Sequence, residues 1–454
     1  MADRIERDTL GEVRVPNGAL YGAQTQRAVE NFPISGWRLP RAFLGALGLL
    51  KSAAARVNKQ QGHLPADLAD AIEHAAGEVA EGFHDDQFVV DVFQTGSGTS
   101  TNMNANEVIG RLAGAHPNDH VNRGQSSNDV FPSALHIAAA MLLQNELLPA
   151  LGDLAAALRA KAEEFHEVVK IGRTHLQDAV PMLLGQEFSG YATQVEQSAA
   201  RITLTLDGIY DLAFGGTAVG TGLNAPPAFA AAVIADIARR TQLPFREAPD
   251  HFEAQGARDA VSFLSGALKT TAVALTKIAN DIRWLASGPR CGLGELKLPE
   301  TQPGSSIMPG KVNPVIAESL LMVCAQVIGA DAAITWCCAA GNLELNAMMP
   351  VMAYDLLEAI RILAAAVKNF ERRAICGLEA DSARASGFVE QSLAMCTVLA
   401  PEIGYDRAAE IAKAAYRTGR TVREVARDVS GIPEARLNEL LDPRSQTGPD
   451  GSKS

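Results

Sequence analysis

Residues 318–344, which run ESLLMVCAQVIGADAAITWCCAAGNLE, carry one charged side chain, Asp331, between the glutamates at their two ends. A helix this long and apolar either crosses a membrane or lies inside a large soluble core. Polar residues such as Gln326 and Asn342 interrupt the segment, and no cationic anchors flank it. We therefore expect a buried core helix in a protein that has no membrane partner.

Helical periodicity extends over most of the chain. From Phe188 to Ile209 apolar residues recur at steps of three and four, which places them on one face of a long helix. Further long helices are predicted from an N-cap at Asn128 or Asp129 with a kink at Pro149, from Asp259 to Gly288-Pro289, and over 315–340 and 350–373. No convincing set of alternating strands is present, so the predicted fold class is all-α.

Changes in this pattern divide the chain into three predicted domains. Residues 1–127 mix short helices with polar loops, and residues 377–454 form a small helical domain with a frayed tail from Asp442. The central domain, 128–376, holds the long helices, which carry few charges and are apolar on more than one face. Exposure of such faces to water costs about 25 cal/mol per Å², so we expect a bundle shared between the subunits of a homo-oligomer.

The composition restricts the possible partners. The 454 residues include 40 Lys and Arg against 52 Asp and Glu, a formal net charge of −12. This acidic balance disfavours nucleic acid and anionic membranes as partners, and by itself it also disfavours a small anionic substrate. The six cysteines include no C-x-x-C pair, and the first residues alternate in charge without an apolar signal region. We therefore expect reduced thiols and a cytoplasmic location.

Four polar segments punctuated by glycine or serine interrupt the helical pattern. They are Gln94–Thr99, Gln125–Asn128, Gly172–His175 and Gly304–Pro314. Each supplies hydroxyls, amides or a cation, which are the groups that bind carboxylate oxygens. The fourth has the composition of a mobile lid and carries Lys311 and Asn313. Taken singly, each segment is also compatible with an ordinary helix cap or surface loop.

Metal and nucleotide sites are the main alternatives. His116 and His120 are four residues apart, but Pro117-Asn-Asp between them indicates a turn, and no third ligand is evident. The glycine-rich stretch 215–222 lacks the G-x-G-x-x-G spacing and the G-K-[ST] lysine of nucleotide-binding loops. We therefore predict neither a metal nor a cofactor.

The polar segments together resemble the fumarase/aspartase superfamily, and within it the class II (iron-independent) fumarases. The matching motifs are Thr95-Gly-Ser-Gly-Thr99 with Asn102-Met-Asn104, His116-Pro-Asn-Asp119, Ser126-Ser-Asn-Asp129, Arg173-Thr-His-Leu-Gln-Asp178 and Gly304-Ser-Ser-Ile-Met-Pro-Gly-Lys-Val-Asn-Pro314. The similarity runs from about Arg7 to Leu441. It implies a three-domain fold whose central helix bundle is shared across a homotetramer, with an active site that combines segments of three subunits.

The resemblance implies three catalytic residues. Ser305 is similar to the lid serine that takes the C3 proton of malate as general base, and Lys311 is the cation that would assist it. His175 is similar to the histidine that acts with a water on the hydroxyl side of the substrate. Glu318 would orient this histidine, because a carboxylate fixes the imidazole tautomer and raises its basicity.

The resemblance also implies residues that bind the substrate. The two carboxylates would be held by Ser97, Gly98, Thr99, Ser126, Ser127, Asn128, Thr174, Ser306, Lys311 and Asn313. A second, non-catalytic dicarboxylate site of the family is matched by His116, Pro117, Asn118 and Asp119. The stretch before it is shortened and Arg111 is the nearest cation on that side, so a plain polar turn is the alternative.

The activity implied by the resemblance is the reversible, metal-independent hydration of fumarate to L-malate. The first alternative is an aspartate ammonia-lyase on the same scaffold, although aspartases more often carry alanine where this chain has Gly310. A second alternative is a non-catalytic helical scaffold. The presence of Ser305, Lys311, His175 and Glu318 speaks against that scaffold.

Overall fold

The computed structural model describes residues 3–448, and helices dominate it. The α-helices are α1 (Ala23–Asn31), α2 (Arg41–Gln60), α3 (Ala66–Glu81), α4 (Thr99–Ala113), α5 (Ser127–Leu142), α6 (Leu148–Glu164), α7 (Leu184–Ile209), α8 (Phe229–Thr241), α9 (His251–Gly256), α10 (Asp259–Leu285), α11 (Val315–Ala339), α12 (Met349–Phe370), α13 (Ser382–Gln391), α14 (Ala400–Ile403), α15 (Tyr405–Thr418), α16 (Val422–Val429) and α17 (Glu434–Leu440). The predicted all-α class is confirmed.

Short two-stranded sheets connect the helices. The antiparallel pairs are β1 (Asp3–Asp8) with β2 (Gly11–Pro16), β3 (Val169–Thr174) with β4 (Gln177–Leu183), β7 (Leu296–Lys297) with β10 (Glu379–Ala380) and β8 (Gly341–Asn342) with β9 (Leu345–Asn346), and β5 (Asp211–Leu212) pairs in parallel with β6 (Arg246–Glu247). The sequence analysis predicted none of these strands. The β1–β2 hairpin lacks the apolar alternation that indicates a strand, because its two strands together carry more charged than apolar residues.

The long helices agree closely with the predicted ones. α7, α10, α11 and α12 begin and end within a few residues of the expected positions. α5 and α6 are separated by a π-helical segment, Leu143–Leu147, which ends two residues before Pro149. Proline lacks the N–H that would continue the α-helical hydrogen bonds, which accounts for a change of helix type near Pro149, and the kink itself stays a prediction.

The chain forms two compact units. The first comprises residues 1–150, 198–273 and 323–365, and the second comprises residues 151–197, 274–322 and 366–454. In the first unit α2 packs on α3 and α5, and the Phe43 and Phe131 ring centroids lie 4.5 Å apart. The three sequence domains, 1–127, 128–376 and 377–454, remain a prediction.

The second unit includes a small helical core near the C-terminus. Its buried residues, among them Leu399, Ile411 and Val425, come mainly from α13, from α15 to α17 and from the 3₁₀ segment Leu393–Leu399, and Ile171 of β3 packs with them. The predicted fraying from Asp442 is wrong for residues 442–448, because Pro443–Gln446 form a 3₁₀-helix and Arg444 donates to Glu167 at 2.6 Å. The rest of the predicted tail, including Pro449 and Gly451, lies outside the described residues.

α11 buries only one of its apolar faces. Ala317, Leu320, Cys324 and Val327 follow the helical period and are buried, whereas Trp336 is 79% exposed. Among residues 3–448, Ser127–Glu164 and Val315–Ala339 are long and apolar enough to cross a membrane, as core helices of soluble proteins also are. Of their most apolar windows, 67% and 39% respectively are buried inside the fold. If α11 is a core helix, as expected, another surface must cover its exposed face.

Candidate active site

The turn before α4 places two hydroxyls side by side. Gly98 is the N-cap residue and has a φ of 73°, a left-handed conformation that favours glycine. A Cβ atom at this position would lie 2.0 Å from a ring carbon of Phe131, so a larger residue does not fit. The Ser97 and Thr99 hydroxyl oxygens lie 2.7 Å apart. The structure thus brings together these two predicted carboxylate-binding hydroxyls at a helix N-terminus.

Ser126, Ser127 and Asn128 lie at the start of α5. The predicted N-cap at Asn128 or Asp129 is wrong, because Ser126 occupies that position. The Ser126 hydroxyl accepts from the Asn128 N–H at 3.3 Å, and the Asp129 carboxylate accepts from the Ser126 N–H at 3.0 Å. This reciprocal capping box requires the acid three residues after the cap, which fixes the boundary.

Asp129 also connects the start of α5 to the turn at 215–222. Its second carboxylate oxygen accepts from the N–H groups of Gly215 at 3.1 Å and Thr217 at 2.9 Å. Next to it, the Asn128 amide donates to the Ala218 carbonyl at 2.8 Å. Burial raises the pKa of Asp129. From the sequence, Asp129 is identified only as a candidate N-cap and as part of the Ser126–Asp129 motif, although its S-x-x-D spacing to Ser126 also indicates the capping box.

Lys51 of α2 lies behind the turn that leads into α5 and was also missed. Its side chain is fully buried, and its ammonium donates to Asn122 Oδ1 at 3.0 Å and to Gln125 Oε1 at 2.9 Å. Burial lowers the pKa of Lys51 to about 7, although the nearby carboxylate of Asp129 acts in the opposite direction. A lone lysine in the mostly apolar stretch from Phe43 to Ala55 was the available sequence signal.

In the second unit, the β3–β4 hairpin carries His175 at its tip. His175 and Leu176 have φ values of 57° and 60°, and they connect the paired residues Thr174 and Gln177. Positive φ at both central positions is typical of a type I′ hairpin turn. Thr174 and His175 are exposed, so the hairpin presents a hydroxyl and an imidazole to solvent in the single chain.

A buried ion pair supports the base of this hairpin. Arg173 donates to both carboxylate oxygens of Glu295, at 3.0 and 3.1 Å, and Glu295 is fully buried. The buried ammonium of Lys170 lies 3.9 Å from the same carboxylate and 3.1 Å from that of Glu187. Bidentate Arg–carboxylate pairs fix geometry as well as charge, so this cluster holds the strand that ends at Thr174 and His175.

The lid loop between β7 and α11 has an internal fold. The Ser305 hydroxyl oxygen accepts from the N–H groups of Ile307 at 3.2 Å and Met308 at 3.0 Å. The Gly304 N–H donates to the Lys311 carbonyl at 2.8 Å, and the Asn313 amide donates to the Gly304 carbonyl at 2.6 Å. A Cβ atom on Gly304 would lie 2.3 Å from the Lys311 carbonyl oxygen, so this close approach requires glycine.

Three charged or titratable groups of the second unit are held open to solvent. His175, Lys311 and Glu318 are all exposed. Within residues 3–448 of one chain, no side-chain hydrogen bond or ion pair engages any of them, so the proposed pairing of His175 with Glu318 is not formed there. Ser306 is likewise exposed at the lid surface. A single chain therefore leaves these predicted groups apart.

The matched second site, at residues 116–119, forms a compact polar turn. His116 Nδ1 accepts from the Asp119 N–H at 3.0 Å and lies 3.2 Å from the Asp119 carboxylate. Arg111 donates to the Leu20 carbonyl at 3.2 Å and pairs with Glu6. Because Arg111 already has these partners, this geometry favours the polar turn, and binding at this site stays a prediction.

The histidines of this turn bond to backbone N–H groups of the turn itself. His116 is the N-cap of the π-helical segment Pro117–Val121, and its N–H donates to His120 Nδ1 at 3.0 Å. Over residues 3–448, no group of three or more His, Cys, Asp or Glu side chains is arranged to hold a metal ion.

Comparisons with known proteins cover nearly the whole chain. A family model described as Lyase matches residues 11–329, and one described as Fumarase C C-terminus matches residues 395–448. Class II fumarate hydratase of Methylorubrum extorquens is 52% identical over 98% of this chain and 97% of its own length. That of Mycobacterium tuberculosis is 54% identical over 97% and 94%. The crystal structure of class II fumarase from Schistosoma mansoni superposes with a TM-score of 0.95 at 40% identity, covering 97% and 98%.

The Glu295 cluster yields a prediction about stability. Glu295→Ala leaves Arg173 and Lys170 buried without their shared carboxylate, which should destabilise the protein by about 3–5 kcal/mol. Thermal unfolding and amide hydrogen exchange of residues 169–183 measure the effect. The control is Glu196→Ala, which removes an exposed ion pair with Arg159 and should change stability much less, because solvent screens that pair. Equal losses in the two variants would contradict the assigned support.

Proposed function

The chain belongs to the class II fumarate hydratase family of lyases, and from this membership we propose that it catalyses the reversible hydration of fumarate to L-malate. The observation that carries the proposal is the environment of Ser305 within the lid motif. Its hydroxyl oxygen accepts two backbone N–H groups, and such donors stabilise the anionic form that a serine base requires.

Ser305 is proposed as the base on C3 of malate. In the dehydration direction its oxyanion takes the C3 proton, and the electron pair of the C–H bond moves into the adjacent carboxylate, which becomes a dianion. An unassisted serine hydroxyl is too weakly acidic for this role, so the amides of Ile307 and Met308 and the cation of Lys311 must stabilise its anion. Lys311 belongs to the same loop, which the Gly304–Lys311 backbone hydrogen bond closes at 2.8 Å.

The second half of the reaction takes place on C2. The C2–O bond breaks, the double bond of fumarate forms, and the departing hydroxide receives a proton to become water. We assign this proton transfer to His175 acting through a bound water, with Glu318 fixing the imidazole tautomer. Hydration follows the same steps in reverse.

The carboxylate-binding residues supply donors without a large positive charge. We assign Ser97, Gly98, Thr99, Ser126, Ser127, Asn128, Thr174, Ser306, Lys311 and Asn313 to this role. Because one carboxylate gains charge as the proton leaves, hydroxyl and amide donors around it are worth most in the transition state. No step in this scheme needs a metal or a cofactor.

We propose that a homotetramer completes the active site. His175, Lys311 and Glu318 are exposed in one chain, and electrostatic stabilisation of the dianion requires a site shielded from water. The exposed apolar residues of the long helices, such as Phe263, Trp284 and Trp336, supply the contact surface. Within residues 3–448 the cysteines form no disulfide, which accords with the cytoplasm that we propose as the location.

An absorbance assay tests the reaction. Purified protein should consume fumarate and form L-malate without ammonium, and a metal chelator should leave the rate unchanged because the assigned groups are side chains. Loss of fumarate only in the presence of ammonium would instead support the aspartate ammonia-lyase. A folded oligomer that turns over neither substrate would support the non-catalytic scaffold.

The catalytic assignments predict large losses in turnover. Ser305→Ala removes the base and His175→Asn removes the proton shuttle, so each should lower kcat by roughly 10²–10⁴-fold. Steady-state kinetics in both directions measures the loss, and size-exclusion chromatography with light scattering should show an unchanged oligomer. Wild-type turnover in both variants would overturn these roles.

The tetramer predicts that one exposed aromatic residue is essential for assembly. Trp336→Glu places a charge on the exposed face of α11, which should shift the protein to smaller species and reduce activity with it. Analytical ultracentrifugation gives the distribution of species. Tyr416→Glu on α15 changes an equally exposed aromatic, 80% against 79%, and should leave the assembly intact. Identical sedimentation of Trp336→Glu and wild type would refute this interface.

A further inference from the structure

We propose that Lys51 is a positioning residue that sets the hydrogen-bond direction of a buried amide network, so that the Ser127 hydroxyl donates its proton to a substrate carboxylate. The inference rests on the proposed function, because it concerns how the first unit binds a dicarboxylate. It adds a residue outside the assigned site and gives a direction to one proton within it.

Lys51 is a buried cation that makes no direct ion pair within residues 3–448. Its side chain is 0% exposed, and over residues 3–448 no carboxylate oxygen lies within 4 Å of its ammonium. The ammonium instead donates to two amide oxygens, Asn122 Oδ1 and Gln125 Oε1. A buried lysine held by neutral acceptors is costly, so its retention calls for a role beyond filling space.

The ammonium can only donate, and this fixes the orientation of both amides. Asn122 and Gln125 must turn their oxygens toward Lys51. Their nitrogens then face backbone carbonyls: Asn122 Nδ2 donates to the Gln125 carbonyl at 3.2 Å, and Gln125 Nε2 donates to the Val121 carbonyl at 3.1 Å. In both amides, the bonds of the oxygen and the bonds of the nitrogen require the same orientation of the group.

Asn122 in turn fixes the orientation of the Asn102 amide in α4, and Asn102 contacts Ser127. Asn122 Oδ1 also accepts from Asn102 Nδ2 and Asn106 Nδ2, both at 3.2 Å. Asn102 must therefore present its nitrogen to this side, and the same nitrogen donates to the Ser127 hydroxyl oxygen at 3.0 Å. Lys51, Asn102 and Asn106 are all buried, so water does not compete for these bonds.

The Ser127 hydroxyl oxygen accepts a hydrogen bond from Asn102 Nδ2, and its own proton remains available for donation. No other hydrogen bond engages this hydroxyl within residues 3–448, and the residue is only partly buried. A hydroxyl that accepts on its protein side is set to donate on its open side, and a carboxylate is acceptor-only. Lys51 thus acts on the substrate through Asn122 and Asn102, without touching it.

Asp129 is the other titratable group near Lys51 that bears on this network. Its carboxylate is saturated by the N–H groups of Ser126, Gly215 and Thr217, so it does not accept from the amide network. Its negative charge keeps Lys51 protonated more readily than burial alone would allow. Asp129 therefore supports the donor state of Lys51 without replacing it.

A double-mutant cycle tests the proposal. Lys51→Met, Ser127→Ala and the double variant are compared with wild type by calorimetric Kd for succinate, an unreactive dicarboxylate, and by KM for fumarate. Loss of one charge-assisted hydrogen bond should weaken binding about tenfold in each single variant. The double variant should be no weaker than Ser127→Ala within about twofold, because both changes remove the same bond. Ser52→Ala, a buried polar change on the same helix, should leave both constants unchanged.

Each result of the cycle decides the proposal. Additive losses, or unchanged binding in Lys51→Met, would overturn it, because Lys51 would then act elsewhere or not at all. A wild-type protein that binds succinate yet does not hydrate fumarate would refute the proposed function, while its Kd cycle would still test Lys51. A wild type that binds no dicarboxylate would overturn both.

A second pair of variants covers the case in which Lys51→Met does not fold. Asn102→Asp replaces the nitrogen that donates to Ser127 with an acceptor, which turns the serine proton inward. Asn106→Asp adds the same charge to the same network without contacting Ser127. The proposal requires that Asn102→Asp weaken succinate binding at least fivefold more than Asn106→Asp does. Equal weakening would overturn it.

Discussion

The unpaired N–H groups at helix N-termini are the constraint on which the candidate site depends. Every α-helix begins with backbone donors that have no partner within the helix, and the helix dipole adds partial positive charge there. Several of the predicted carboxylate-binding residues lie at such starts, namely Ser97 and Thr99 at α4, Ser126 to Asn128 at α5, and Asn313 just before α11, whereas Thr174, Ser306 and Lys311 lie on a hairpin and in a loop. Donors of this kind would let a chain with a net charge of −12 bind the proposed dianionic substrate. The acidic balance disfavoured nucleic acid, but it was the wrong guide to a small substrate.

Two buried charged residues, Glu295 and Lys51, have different kinds of hydrogen-bond partner. Glu295 is surrounded by Arg173 and Lys170, so the charges offset one another and hold a hairpin in place. Lys51 has only amide oxygens as direct partners, and its charge orients them instead of being cancelled. The first arrangement stabilises the β3–β4 hairpin. The second is proposed to set the direction of the hydrogen bonds that lead to Ser127. Both lie one layer behind residues that the family resemblance had already identified.

Sequence reasoning found the helices and the motifs but not what supports them. α11 was predictable because Pro314 and Gly341 bound a long apolar run, and helical period is a local property. The β3–β4 hairpin was not, because its turn requires a left-handed conformation at Leu176 as well as at His175, and leucine gives no sign of such a conformation. The supporting contacts, Lys51 with Asn122 or Arg173 with Glu295, join residues more than 70 positions apart. No local pattern reports such pairs.

The catalytic candidates and the apolar helix faces are both exposed in the single chain, so the proposed assembly bears on the proposed chemistry. The catalytic candidates His175 and Glu318 face solvent, as do the apolar faces of α10 and α11 that carry Trp284 and Trp336. Water would screen the charges that must stabilise a dianion, and it would also penalise the apolar faces. The proposed association of copies along the long helices would remove both penalties in one step. A site whose parts remain apart and solvated until assembly would gain low dielectric, and with it catalytic strength, only in the oligomer.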